Sequence, residues 1–216
     1  GPDCAHPAFT PMQKAISYAM TSFFTTGGIR GGKKKLDRFY PRSFNMGVRR
    51  TAYMQLGGFS AMRFGEDIDF STRIFKAGLH CRLFPGAWVW HKRRTDLKKF
   101  FKQVHNSGIA RINLHYRHPG TMKLVHMLPA IAVVLGLALL LGAVACPWIF
   151  VLFALWCLLI LADATVQSRS LGIGLLAVAA SAVQITGYGT GFLRAVWERM
   201  VLGRDEFHAF RNNFYK

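Results

Sequence analysis

Hydrophobic and polar positions are arranged very differently in the two parts of this chain. From Leu124 to Ala162 no Asp, Glu, Lys or Arg occurs over 39 positions. One helix of that length would run roughly 58 Å at 1.5 Å per residue, about twice a ~30 Å hydrocarbon core. The run must break, and Gly142 to Pro147 is the natural place. Two membrane spans are predicted, about 124–143 and 147–163. A buried pair of soluble helices is the alternative, but the polar face such helices need is missing. A third uncharged run, about 170–192, is less apolar. It holds Gly172, Gly174, Gly187, Gly189 and Gly191 beside Ser181, Gln184 and Thr186. It reads as a third membrane segment that either crosses or lies in the interface.

Ahead of these runs the periods are shorter. Pro11 to Phe24 reads as a helix with Ile16, Met20 and Phe23/Phe24 apolar. Phe39 to Val48 reads as a strand, and Arg50 to Leu56 as a short helix ended by Gly57-Gly58. Glu66 to Ala77 has a helical pattern, with Ile68, Thr72 and Phe75 on one face and Gly78 as the left-handed stop. His80 to Phe84 and Ala87 to His91 read as strands around Pro85-Gly86. Thr95 is the predicted cap of a long amphipathic helix. Its stripe is Leu97, Phe100/Phe101, Val104, Gly108, Ile109 and Ile112, with lysines on the other face.

Charge sharpens the division. Residues 1–123 hold 22 Lys/Arg against 6 Asp/Glu; residues 124–216 hold 6 against 4. The dense basic block before the first span places that side in the cytoplasm by the positive-inside rule. The amphipathic helix is expected along the anionic membrane surface, where each nearby Lys or Arg is worth about 1 kcal/mol. Two spans return Arg169 to the cytoplasm. A third would export Arg194, Arg199, Arg204, Arg211 and Lys216, and the conflict stands. No signal peptide is expected within these residues, since no apolar run long enough for one precedes residue 120. Cys4, Cys81, Cys146 and Cys157 lack zinc-site spacing. The loop TGGIRGGKKK mimics a phosphate-binding loop, but Lys34 replaces the Ser/Thr and no strand precedes it. It reads as a solvated basic loop, or as one lying near a phosphate-bearing substrate.

Three of the chain's ten acids, Glu66, Asp67 and Asp69, fall within four positions. Acids in a first helical turn gain roughly 0.3–1 kcal/mol from the dipole, so helix capping alone accounts for them. A carboxylate at a loop mouth, after a glycine that permits close approach, also suits a general base, worth typically 10²–10⁴-fold. The surrounding positive charge would draw an anionic donor. The run SFNMGVRRTAYMQLGGFSAMRFGEDIDFSTRIFKAGLHCRLFPGAWVWH decides between these readings. It resembles the C-terminal part of a family-two glycosyltransferase catalytic domain of the GT-A fold. An N-x-x-(F/V)-R-R segment leads to a helix and G-G-F. A G-E-D-x-D-(F/L)-x-x-R-(I/L)-x-x-A-G block, a strand, P-x-A-x-V-x-H and a basic amphipathic helix follow.

The resemblance covers roughly residues 39–115 and implies roles. Asp67 matches the base that deprotonates the acceptor hydroxyl in an inverting reaction, and Glu66 helps orient the acceptor. Asn45, Gly47 and Arg49 border the cleft for acceptor and donor. His91 matches a histidine that reaches the metal–diphosphate, with closure of a strand against the core as its alternative. Asp69 reads as a helix-turn residue. The D-x-D that holds Mg2+ or Mn2+ in this family has no counterpart before Asp67. The chain is therefore expected to be an acceptor-side half without its nucleotide-binding half, and inactive alone. The Q-x-x-R-W of processive synthases is absent after Gln103, which favours single transfers.

The implied fold is an α/β partial GT-A domain at 1–94, an interface helix at 95–120, an α-helical membrane region at 121–192 and a basic cytoplasmic tail at 193–216. The implied protein is a multi-pass cell (inner) membrane enzyme with its catalytic part in the cytoplasm. It would pass a sugar from a nucleotide-sugar donor to a lipid-linked or glycan acceptor. The alternative is a non-catalytic basic membrane protein that binds anionic lipid or a partner subunit. It leaves the ordered motif set unexplained. A nucleic-acid module is disfavoured, because much of the basic charge lies beside a membrane span and no binding motif appears.

Overall fold

A computed structural model describes residues 3–4, 6–26, 39–62, 64–142 and 148–206. Residues 27–35 of the basic loop, the expected break at 143–147 and residues 207–216 of the tail lie outside the described residues. Helices dominate. In chain order they are α1 (Pro11–Thr21), α2 (Phe23–Thr26), α3 (Arg50–Gln55), α4 (Glu66–Lys76), α5 (Leu97–Arg117), α6 (Leu124–Gly142), α7 (Ile149–Ser168) and α8 (Leu171–Val196), which runs on into a π-helical turn, Trp197–Val201.

The α/β architecture is represented among the described residues by one two-residue pair. Strand β1 (Asp3–Cys4) lies parallel to β2 (Val89–Trp90). The predicted strand at 39–48 is extended chain around a 3-10 turn, Ser43–Asn45, and the one at 80–84 is irregular. The reason is the ladder. A strand's N–H and C=O groups need a neighbour, and without one the chain satisfies them in turns. Asn45 N–H donates to the Arg42 carbonyl at 2.9 Å, and Ala87 N–H to that of Phe84 at 3.0 Å.

Local chemistry explains the helix ends. Thr10 and Gln13 form a reciprocal capping box at the start of α1, with Pro11 in the first position. The predicted helix 11–24 breaks at Ser22, whose extended backbone (ψ 141°) ends α1 and whose Oγ accepts from Phe24 N–H at 3.2 Å. Asp96 caps α5, not Thr95: its Oδ1 takes the Lys99 N–H at 2.7 Å. In α4 the buried residues are Asp67, Asp69, Phe70, Ser71, Thr72 and Ile74; of the predicted face Thr72 is buried, while Ile68 and Phe75 are only partly so. Phe70 decides the rotation, because its ring packs on Tyr53 and Phe59 at 5.5 and 5.2 Å.

Helices α6, α7 and α8 with its π turn are each long and apolar enough to cross a membrane. α8 is the centre of the helical body, and its glycines are the means. A Cβ at Gly191 would overlap the His105 carbonyl of α5, and one at Gly187 would sit 2.5 Å from Val104 Cγ2. Gly189, about 200° round the helix from Gly187, faces the other way, 2.5 Å from the Pro129 carbonyl of α6. From α5, a Cβ on Gly108 would overlap Tyr188 O. Val104 with Gly187, Gly108 with Gly191 and Tyr116 with Arg199 keep one offset in number, so α5 and α8 run parallel, side by side. Small residues allow such backbone contact. The stripe of α5 thus buries Phe100, Val104, Ile109 and Ile112, while Lys98, Lys99 and Lys102 stay exposed.

On the other side α1 packs Ile16, Ala19 and Met20 against Ile160, Ala164, Ala177 and Ala180. The Tyr18 hydroxyl donates to Asp163, the one acid of α7, at 2.6 Å. Burial first, and the bond to Asp163 second, push the Tyr18 hydroxyl up to about 12.

Gly108→Val and Gly191→Val should each lower the melting temperature of the purified full chain in detergent by roughly 10 °C or more, the signature of a backbone clash. Gly136→Ala, whose added Cβ meets nothing within 4 Å, should leave it unchanged or slightly raised. Equal shifts in all three would contradict the α5–α8 contact.

Candidate active site

The site is assembled by four consecutive residues that the sequence motifs did not single out as a unit. Arg42 Nη1 donates to Asp67 Oδ2 at 3.5 Å. Ser43 Oγ donates to Glu66 Oε1 at 3.3 Å. The Phe44 ring stacks on the His91 imidazole, centroids 4.0 Å apart and planes 21° from parallel. Asn45 Nδ2 donates to the Ala87 carbonyl at 2.7 Å. A 3-10 turn rotates about 120° per residue, so successive side chains leave in different directions. That is how residues 42–45 reach the acidic helix on one side and the 87–91 segment on the other.

Gly65 opens α4 with φ +85°, a left-handed conformation that suits glycine. The close approach read into Gly65 is to α5: an added Cβ would lie 3.0 Å from Leu114 Cδ1. The three acids of the first turn then part company. Asp67 is 7% exposed, and its Oδ1 accepts the Ile68 N–H at 2.8 Å. Glu66 is half-buried; burial pushes its carboxyl above the usual range, and the neighbouring Asp67 charge adds to this.

Asp69 is 3% exposed and purely structural in its contacts. Its Oδ2 takes Arg73 Nε at 3.0 Å and Nη2 at 2.7 Å, and its Oδ1 faces His118 Nε2 at 2.8 Å. The same guanidinium donates to the Leu56 and Gly58 carbonyls and lies over the Phe70 ring. Lys76 Nζ sits 3.2 Å from His118 Nδ1. Burial would raise the Asp69 carboxyl; the bonds from Arg73 and His118 outweigh it and hold it below the usual range.

Of the expected residues, Asp67, Glu66, Asn45 and His91 gather round this turn. Gly47 and Arg49 do not join them: both are exposed, Gly47 faces open space, and Arg49 is the N-cap of α3 without a side-chain cap bond. Arg42, Ser43 and Phe44 were not anticipated. The N-x-x-(F/V)-R-R pattern begins at Asn45, and the turn lies just ahead of it. His118 also went unseen, because nothing in its local sequence marks it. As a metal centre the described residues do not fit on their own. No three His, Cys, Asp or Glu side chains gather among them, and His91 Nδ1 lies 3.3 Å from the Arg93 guanidinium.

The glycosyl transferase family group 2 model matches residues 43–164, from the 3-10 turn into α7. The chain belongs to that family. It is 30% identical over 59 residues, 27% of its length, to a probable glycosyltransferase, YdaM, of Bacillus subtilis. It is 36% identical over 72 residues, 33% of its length, to a pre-mycofactocin glycosyltransferase of Mycobacterium tuberculosis. These matches cover 14% and 15% of those proteins, so the chain spans only a small part of the curated relatives it matches. No solved structure matches the chain significantly.

A lowered carboxyl stabilises the fold fully above its unfolded value, about 3.9, and loses that contribution as pH falls through the lower folded value. Unfolding of the full chain in detergent, followed from neutral pH downward, should therefore show an acid limb below about pH 4. Asp69→Asn should cost about 3 kcal/mol at neutral pH and flatten that limb. An unchanged limb would remove Asp69 from the acid response.

Proposed function

We propose that this chain is the acceptor-side portion of a GT-A catalytic domain with its membrane attachment, in an inverting glycosyltransferase. The enzyme moves a sugar from a nucleotide-sugar donor to a lipid-linked or glycan acceptor. The observation that carries this is the turn at 42–45, which ties both carboxylates of the Glu66-Asp67 pair and His91 into one cluster. Helix capping alone would leave these groups unrelated.

Asp67 is the base. A carboxylate offers about four lone-pair sites; Ile68 N–H and Arg42 occupy one on each oxygen, which fixes the group and leaves both oxygens able to accept a further proton. In a single displacement the acceptor hydroxyl oxygen bonds to the anomeric carbon. The bond from that carbon to the donor's phosphate oxygen breaks, the nucleoside diphosphate leaves, and the hydroxyl proton passes to Asp67. Glu66, set by Ser43, orients the acceptor. Asn45 borders the cleft, Gly47 and Arg49 lie on the exposed chain just beyond the turn, where a bound substrate would reach them, and His91 lies toward the donor diphosphate. The metal-binding D-x-D and the nucleotide-binding half belong to sequence other than this, so the isolated chain is inactive.

The basic side faces the cytoplasm at the inner membrane. The parallel pairing of α5 with the C-terminal half of α8 supports this. Arg194, Arg199 and Arg204 then lie on the side of the basic helix, and the third segment does not export them.

In the intact enzyme, Asp67→Asn should lower transfer at least 10²–10⁴-fold with donor binding, measured by calorimetry, nearly unchanged. Ser43→Ala should act mainly on the KM for acceptor. Wild-type turnover by Asp67→Asn would remove it from the mechanism.

A further inference from the structure

A cavity of about 550 Å3 lies between the last turns of α5, the first half of α6 and the end of α8. Its size is within the range of small-ligand sites, about 300–1,000 Å3. Ile112, Met122, Ala130, Ile131, Phe192 and Met200 give it an almost wholly apolar lining. It is not sealed: the lining residues Ile131, Leu135 and Met200 are 40%, 57% and 49% exposed. Two of these belong to α6, one of the helices apolar enough to cross a membrane, so the opening faces hydrocarbon.

Two further features separate this cavity from an idle gap. His115 lines it, and the buried His115 Nδ1 has no hydrogen-bond partner among the described residues. A buried ring nitrogen left unpaired is costly and invites a polar group from outside. Cations neighbour the lining along the chain. Arg111 precedes Ile112 and Lys123 follows Met122, and both act electrostatically on His126, which accepts from the Lys123 N–H at 3.1 Å. No Asp or Glu occurs between Asp96 and Asp163. On the facing side, Glu198 is held by Arg194 and Glu206 by Arg117.

We propose that this cavity binds one acyl chain of an anionic phospholipid from the surrounding bilayer. The phosphate meets Arg111 and Lys123, and a polar group at the top of the chain pairs with His115 Nδ1. The site is separate from the transfer chemistry and does not depend on it.

Photolabelling tests this without turnover. The full-length protein is placed in phosphatidylcholine vesicles containing phosphatidylglycerol with a diazirine on one acyl chain, and labelled peptides are mapped. The segments around Ile131–Leu135 and Val196–Met200 should label roughly tenfold above the exposed face of α7 at Leu152–Leu158. A diazirine phosphatidylcholine should label them several-fold less, since each nearby cation favours the anionic headgroup. Arg111→Gln with Lys123→Gln should erase that difference. Ile131→Trp, or Leu135→Trp should the first fail to fold by circular dichroism, should remove the cavity label and spare α7. Excess inorganic phosphate should not compete. Labelling equal to that of α7, indifference to both tryptophans, equal labelling by the two headgroups, or displacement by free phosphate would each overturn the proposal.

Discussion

The buried carboxylate of Asp69 is the constraint on which the acidic cluster of this chain rests. It joins three stretches, the Gly57-Gly58 turn through Arg73, α4 itself, and the end of α5 through His118, and adds direction to the packing of Phe70 on Tyr53 and Phe59. With two strands of two residues as the whole of the described sheet, no ladder holds α4 in place. Charge-assisted hydrogen bonds do that work, and they are directional where hydrophobic burial is not. Asp67, two residues earlier, shares that first turn, and its carboxylate is set by Arg42 and the Ile68 N–H. One carboxylate of the motif is spent on position, while its neighbour faces the turn at 42–45.

What could be read from the sequence follows the range of the forces involved. The apolar runs of α6 and α7 were legible because a helix in hydrocarbon has to be apolar on every side. The helix α4 and its left-handed stop at Gly78 were legible because caps are local. The rotation of α4 was not. Ile68 and Phe75 form as good a stripe as Phe70 and Ile74 until Tyr53 and Phe59 claim Phe70. The strands at 39–48 and 80–84 have the right composition, but a strand is a property of pairs, and the partner is not written in the segment. The glycines of 170–192 were visible as an oddity without a direction. Only the packing reveals that Gly187 and Gly191 serve α5 while Gly189 serves α6. In the site, Asp67, Glu66 and His91 came from an ordered motif, whereas Arg42, Ser43 and Phe44 act through the geometry of one turn and leave no pattern.

α1 shows how the same body couples to the site. One face of it carries Tyr18 to Asp163 of α7. The other holds the segment after β2: Gln13 donates to the Arg93 carbonyl at 3.0 Å, Arg93 reaches Ser17 at 3.4 Å, and Arg93 also adjoins His91. An acid inside an apolar helix is expensive unless it is paired. Here the pairing is supplied by the helix that braces His91, so satisfying the membrane segment and positioning the cluster are met by one element.

The end of α5 brings the two halves closer still. His115 and His118 are three residues apart, the last turn of the helix and its cap. His115 lines the apolar cavity against α6 and α8, and His118 holds Asp69. Residues three apart on a helix are surface neighbours, so a group that engaged His115 would bear on the turn that seats His118. The chain from there to Asp67 is short: His118 to Asp69, and Asp69 to the first turn of α4, which carries Asp67. The cavity and the acidic cluster thus meet at the same end of α5, and the His118–Asp69 hydrogen bond is what ties that end to α4.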